Sequence, residues 1–249
     1  MAQTDMAQTD IAQPDIAQPE QRVTPAVPAG HSVDGVAARM RALRASWPAT
    51  DGVAVFNNVY LTVTEEVGQR IEGRQFPDPR GATTLDVVFA ERYLAAVDAV
   101  AAGHRPPACW RPLFQYRHHP GVRPLQFALA GINAHIGHDL ALAVTDACRL
   151  LGCEPAALEG DFHRVGAILE RLEERIREDL MPGPDLLEIV DPLTHLIGSW
   201  SLERARDAAW SAARILWSLR ELPALAEEFT AGMDANAGLV GRYLLTPLH

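Results

Sequence analysis

The chain contains no lysine: all 22 of its basic residues are arginine, set against 32 acidic residues for a formal net charge of −10. Without lysine no Schiff base can form with a carbonyl substrate, and that route of covalent catalysis is excluded. The acidic balance, with a pI near 5.3, also leaves no clustered positive surface to displace counterions from phosphates, so nucleic acid is excluded as a partner. Cysteine is scarce. Cys109, Cys148 and Cys153 are too few, and odd in number, for a disulfide framework. The five-residue step from Cys148 to Cys153 matches neither a CxxC motif nor a zinc knuckle, so all three read as reduced, buried thiols.

Other absences narrow the field further. No stretch reaches the ~18 uncharged apolar residues of a membrane span, and no basic start leads into an apolar secretory core. The expectation is a cytoplasmic protein without a membrane partner. Gly-x-Ser-x-Gly and Walker loops are missing. So are His-Glu-x-x-His, the Glu-x-x-His pair of carboxylate-bridged di-iron bundles, and the Asp-Asp-x-x-Asp run that holds magnesium against a diphosphate. Strand-like alternation and hairpin turn signals are also lacking, which leaves helices to form the core.

What is present begins with a repeat: Met-Ala-Gln-Thr-Asp twice, then Ile-Ala-Gln-Pro-Asp and Ile-Ala-Gln-Pro-Glu. A period of five fits neither helix nor strand, and each unit ends in a carboxylate. Residues 1–31 are therefore expected to form a disordered tail, and 32–249 a single all-α domain, a multi-helix bundle. The 48% hydrophobic content is ample for its core.

Helical spacing recurs along that domain. Asp51 can cap a helix burying Phe56, Val59, Tyr60, Val63 and Val67. Leu85 to Ala101 forms the next helix, stopping before Gly103. Residues 104–124, with five prolines and with Trp110, Phe114, Tyr116, His118 and His119, read as a long structured loop. A helix from about Leu125 to Leu151 follows. After it comes an amphipathic one capped by Asp161, with Val165, Ile168, Leu169, Leu172, Ile176 and Leu180 inward. A helix from about Leu202 to Leu222 and a short final one complete the chain.

Chemistry concentrates in Asn133-Ala-His135-Ile-Gly-His138-Asp139. His135 and Asp139 lie four apart on a helix, so both project from one face and can grip one divalent metal ion. Apolar residues flank them on both sides, and a buried carboxylate requires a partner. Three are open: a metal, an arginine, or His135 itself. Asn133 adds an amide to the same region. Asp191 and His195 repeat the four-residue spacing and can extend a metal site, although Asp191-Pro192 reads equally as a helix cap with proline at the first position. The His138-Asp139 dipeptide bears a superficial likeness to the metal core of all-helical HD-type phosphohydrolases.

The stretches Phe56-Asn57-Asn58-Val59-Tyr60-Leu61-Thr62-Val63-Thr64, Gln126 through Leu140, and Asp191 through Trp200 resemble a bacterial family known as a domain of unknown function, DUF5995. The likeness runs from about Ser46 to Pro247. It implies an all-helical domain centred on an Asn-Ala-His-Ile-x-x-Asp-Leu motif, matched by Asn133, Ala134, His135, Ile136, Asp139 and Leu140. It carries no reaction with it, and His138 falls at a variable position of the motif.

The leading expectation is a metal-dependent, hydrolase-like enzyme in which His135, Asp139 and Asn133 are catalytic and His135, Asp139, Asp191 and His195 hold the ion. A metal-bound water would supply the nucleophile that the side chains lack. The alternative is a metal-free pocket for a small apolar molecule, with Tyr60, Asn57, Trp110 and Phe114 in contact with it. A third reading is a helical interaction protein whose amphipathic helices form a homodimer.

Overall fold

A computed structural model describes residues 32–180 (backbone alone for 173–179) and 201–247. Helices account for all the regular structure of the described residues. The Ser32 hydroxyl accepts from Gly35 N–H at 3.0 Å and starts α1 (Val33–Ser46). Asp51 accepts from the Val53 and Ala54 amides and starts α2 (Gly52–Glu72), whose stripe Phe56, Val59, Tyr60, Val63 and Val67 is buried as the spacing requires. Helix α3 (Pro79–Ala101) begins six residues before Leu85. The fixed φ of Pro79 suits the first turn, and Asp78 caps it.

Residues 104–124 are not all loop. They hold α4 (Arg111–Tyr116), again with a proline, Pro112, in its first turn. Then comes a 28-residue helical run, Pro124–Leu151, made of α5 (Pro124–Ala134), a π-helical turn (His135–Asp139) and α6 (Leu140–Leu151). Gly152 ends it in the left-handed region at φ 65°, a conformation that costs glycine little. A 3₁₀ turn (Pro155–Leu158) leads into α7 (Glu159–Leu180).

Asp161 is therefore two residues inside α7 rather than its cap; it is buried and accepts from the Asp78 amide instead. On α7, Ile168 and Leu172 are buried, whereas Val165, Leu169 and Leu180 are partly so. The Ile176 side chain, the remaining member of the expected stripe, lies outside the described residues. Helix α8 (Leu202–Ser218) is capped by Ser201 and stops four residues before Leu222.

The final helix is not short: α9 (Pro223–Leu244) has 22 residues. Its interior is rich in alanine and glycine, so its apolar periodicity is faint, but the small residues serve close packing. A Cβ on Gly238 would lie 2.6 Å from the Ala108 carbonyl oxygen.

The Pro124–Leu151 run is the axis of the bundle. Helices α2 and α9 pack on its first half, α3 and α8 on its second, and the π turn between them touches α3, α8 and α9. By length and composition the run could cross a membrane, but 83% of its most apolar window is buried inside the protein. Its apolar character is that of a core helix.

Candidate functional site

The π turn sits where the two halves of the core meet. Its Leu140 amide donates to the His135 carbonyl, five residues back, which widens the turn by one residue. Single π turns recur at functional sites. Here His135, His138 and Asp139 are all buried.

Asp139 is the hub. His135 Nδ1 lies 3.0 Å from its Oδ2 and His138 Nδ1 lies 2.8 Å from its Oδ1. The Trp110 indole N–H donates to Oδ2 at 2.9 Å. Burial pushes the Asp139 carboxyl up, but hydrogen bonds from His135 and His138, and attraction to them, more than offset this and bring it to about 2. Of the three partners that sequence left open, His135 does meet the buried charge, and a second imidazole and an indole join it.

His135 shows a different balance. Burial lowers its pKa, outweighing the pull of Asp139, so the ring is neutral at pH 7. A carboxylate only accepts, so the ring proton sits on Nδ1 and Nε2 carries the lone pair. Phe89 stacks on the ring at 3.6 Å between centroids and 5° between planes, and Tyr60 meets it edge-on at 4.4 Å. His135 Nε2 is buried without a hydrogen-bond partner.

Five more buried side-chain polar atoms of the described residues share that condition, and two of them, Tyr60 Oη and Asp86 Oδ2, belong to residues near His135. Burial raises the Asp86 carboxyl to about 7. It raises the Tyr60 phenol as well, helped by the neighbouring charges of Asp86 and Asp139. All three residues border one cavity of about 130 Å³. The remaining wall is mainly apolar, including Phe56, Val63, Phe89, Leu129, Ile132 and Leu140, with Asp161 and Arg206 as its other charged members.

The residues singled out from sequence divide accordingly. His135 and Asp139 come together, and Tyr60 borders the cavity. Trp110 is fully buried and serves Asp139, while Phe114 packs on the core; neither lines the cavity. Asn57 is committed to the fold, donating to the Met40 carbonyl and accepting from the Tyr93 hydroxyl. Asn133 donates to the Ala237 carbonyl at 2.8 Å and pins α9 to α5. Asp191 and His195 lie outside the described residues.

Sequence reasoning passed over Asp86 and Arg206. Each carried a signal: Asp86 falls within the Ala82, Leu85, Phe89 stripe of α3, and Arg206 lies between Leu202 and Trp210 on α8. A charge on a buried stripe is the mark of a site or of a satisfied network.

A second group stands behind Asp139. Donor atoms of Cys109, His138 and Asp139 all lie within 4.8 Å of one another, close enough to hold a metal. The donor types suit zinc. Both Asp139 oxygens already accept hydrogen bonds that an ion would have to displace, and in the metal-free protein burial, followed by Asp139 and Asp234, holds the Cys109 thiol far above its usual range. His135 is not of this group. Its Nδ1 faces the oxygen it would have to share with an ion.

The fold and site together define an all-α protein built around a buried His/Asp hub beside an apolar cavity. Over residues 33–247 the chain matches the family of unknown function DUF5995, and it belongs to that family. Neither a curated protein nor a solved structure matches it.

Proposed function

We propose that the protein binds a small, largely apolar molecule in the cavity beside the π turn and moves a proton to or from that molecule's polar end. One observation carries the reading: Tyr60 Oη, Asp86 Oδ2 and His135 Nε2 are all buried without partners on the border of a single apolar cavity. Each such atom costs about 1–3 kcal/mol, a cost that native folds keep where a ligand offsets it. An apolar void of ~150 Å³ is known to stay dry and admit a benzene-sized guest, so 130 Å³ suits a molecule of that order.

The chemistry follows from the protonation states. Asp139 orients His135 so that neutral Nε2 can take a proton, while Asp86, raised to about 7, still holds one near neutrality. A base and an acid poised on opposite sides of transfer, with a phenol as a third hydrogen-bonding group, fit general acid–base catalysis in a water-poor site. Metal-dependent hydrolysis is the competing reading, favoured by the Cys109/His138/Asp139 group.

Calorimetric titration with p-cresol and toluene tests the pocket. The hydroxyl of p-cresol can serve His135 Nε2 and Tyr60 at once, so p-cresol should bind about tenfold tighter than toluene. His135→Phe should erase the difference. Binding of neither probe would overturn the pocket reading. Stoichiometric zinc in tag-free protein, lost in Cys109→Ser and His138→Ala, would replace it with the metal reading.

A further inference from the structure

We infer that the molecule bound in this cavity carries an anionic group, a carboxylate on a small apolar body, and that Arg206 of α8 is the residue that receives it. The inference rests on the pocket reading above and adds the chemical class of ligand.

Arg206 is 6% exposed and borders the same cavity as His135. A buried guanidinium is normally matched by a carboxylate. This one has none within ion-pair distance among the described residues. Its Nη2 donates to the Phe162 carbonyl, and its guanidinium carbon stands 4.3 Å over the Phe162 ring. Both partners are neutral, and they leave most of a five-donor fork unused. Burial lowers its pKa to about 10, with Asp207 and Glu170 opposing through attraction alone, so it stays charged at neutral pH.

The cavity wall holds two carboxylates, Asp86 and Asp161, and neither lies within ion-pair distance of Arg206; Asp161, on α7, is committed elsewhere. Its Oδ1 accepts from the Asp78 amide at 3.3 Å, and its Oδ2 faces Gly81 in the first turn of α3. On α7 the residue facing the guanidinium is Gly166, where even a Cβ would come within 3.3 Å of Arg206 Nε. Space is therefore kept for the planar head, and a planar fork with no carboxylate hydrogen-bonded to it is the arrangement that takes one through two parallel hydrogen bonds.

The experiment compares benzoate with benzamide, an uncharged near-isostere, by calorimetry on the full chain at pH 7, with p-cresol as the pocket control. Benzoate should bind about tenfold tighter than benzamide, the margin of a charge-assisted bond over a neutral one. Arg206→Gln keeps a donor for the Phe162 carbonyl and should abolish that preference while p-cresol still binds. Equal affinity of benzoate and benzamide in the wild type, with p-cresol bound, overturns the anion inference and leaves the pocket standing. If p-cresol fails as well, the pocket reading falls and this inference with it. Should Arg206→Gln not fold, the wild-type ratio decides alone, and Arg206→Lys must lower it, because a point charge lacks the fork.

Discussion

Replacing Asp139 with alanine is the sharpest probe of the hub. Three N–H groups converge on its carboxylate, from Trp110, His135 and His138, at 2.8–3.0 Å and all buried. Asp139→Ala leaves three donors without acceptors, each costing about 1–3 kcal/mol, so about 3 kcal/mol is the floor. Total stability of a single domain is about 5–15 kcal/mol, which makes the loss a large fraction of the whole. Urea unfolding at pH 7, followed by far-UV circular dichroism, measures it directly. A cycle with Trp110→Phe isolates one arm, and the indole–carboxylate coupling should be about 1–2 kcal/mol. The pH dependence supplies an internal control. With a folded pKa of about 2 against ~3.9 unfolded, the ionised group stabilises the protein above about pH 4, and that contribution is lost as pH falls toward 2. The gap between wild type and variant should narrow over the same window. A loss under about 1 kcal/mol at pH 7, with no coupling to Trp110, would refute the hub; a metal ligand, by contrast, can be removed at little cost to the metal-free fold.

Three further outcomes are expected. Asp86 has a folded pKa raised to about 7, so its contribution to stability is full below ~4 and is lost as pH rises through 7; Asp86→Asn should flatten the fall in melting temperature between pH 5 and pH 8, and an unchanged profile would remove Asp86 from the cavity's chemistry. Gly238→Ala should cost about 1–3 kcal/mol in chemical denaturation, because the obstacle at 2.6 Å is the Ala108 backbone rather than a movable side chain. Leu172→Ala, at a site 3% exposed, should lose about 2–5 kcal/mol, whereas Leu169→Ala should lose distinctly less, since Leu169 borders the cavity and is only partly buried. Equal losses at the two positions would mean that the cavity is not open beside Leu169.

The helical class was legible because periodic apolar spacing and capping residues act locally. Ser32, Asp51 and Gly152 do the same work in any helix that starts or stops beside them. The prolines of residues 104–124 were misleading for the same local reason. Pro112 stands in a first turn, as do Pro79 and Pro223, where a missing N–H costs nothing, and sequence alone does not separate a first turn from a loop. Helix α9 was underestimated because alanine and glycine leave a weak periodic signal, and only its approach to the Ala108 backbone explains them.

At the site, the four-residue step from His135 to Asp139 was enough to pair them, since a single helical turn decides that contact. What joins them comes from far along the chain: Trp110 from before α4, Tyr60 from α2, Asp86 from α3, Arg206 from α8. Their convergence depends on how the helices pack around one axis, and that is set by side-chain volumes summed over the whole core. The π turn likewise leaves no mark in a sequence that also fits an α-helix. Sequence thus determined which groups must find partners, through the cost of burying a charge. Tertiary structure decided which ones did, giving Asp139 three donors and leaving Tyr60, Asp86 and His135 each with a buried polar atom unpartnered at the cavity.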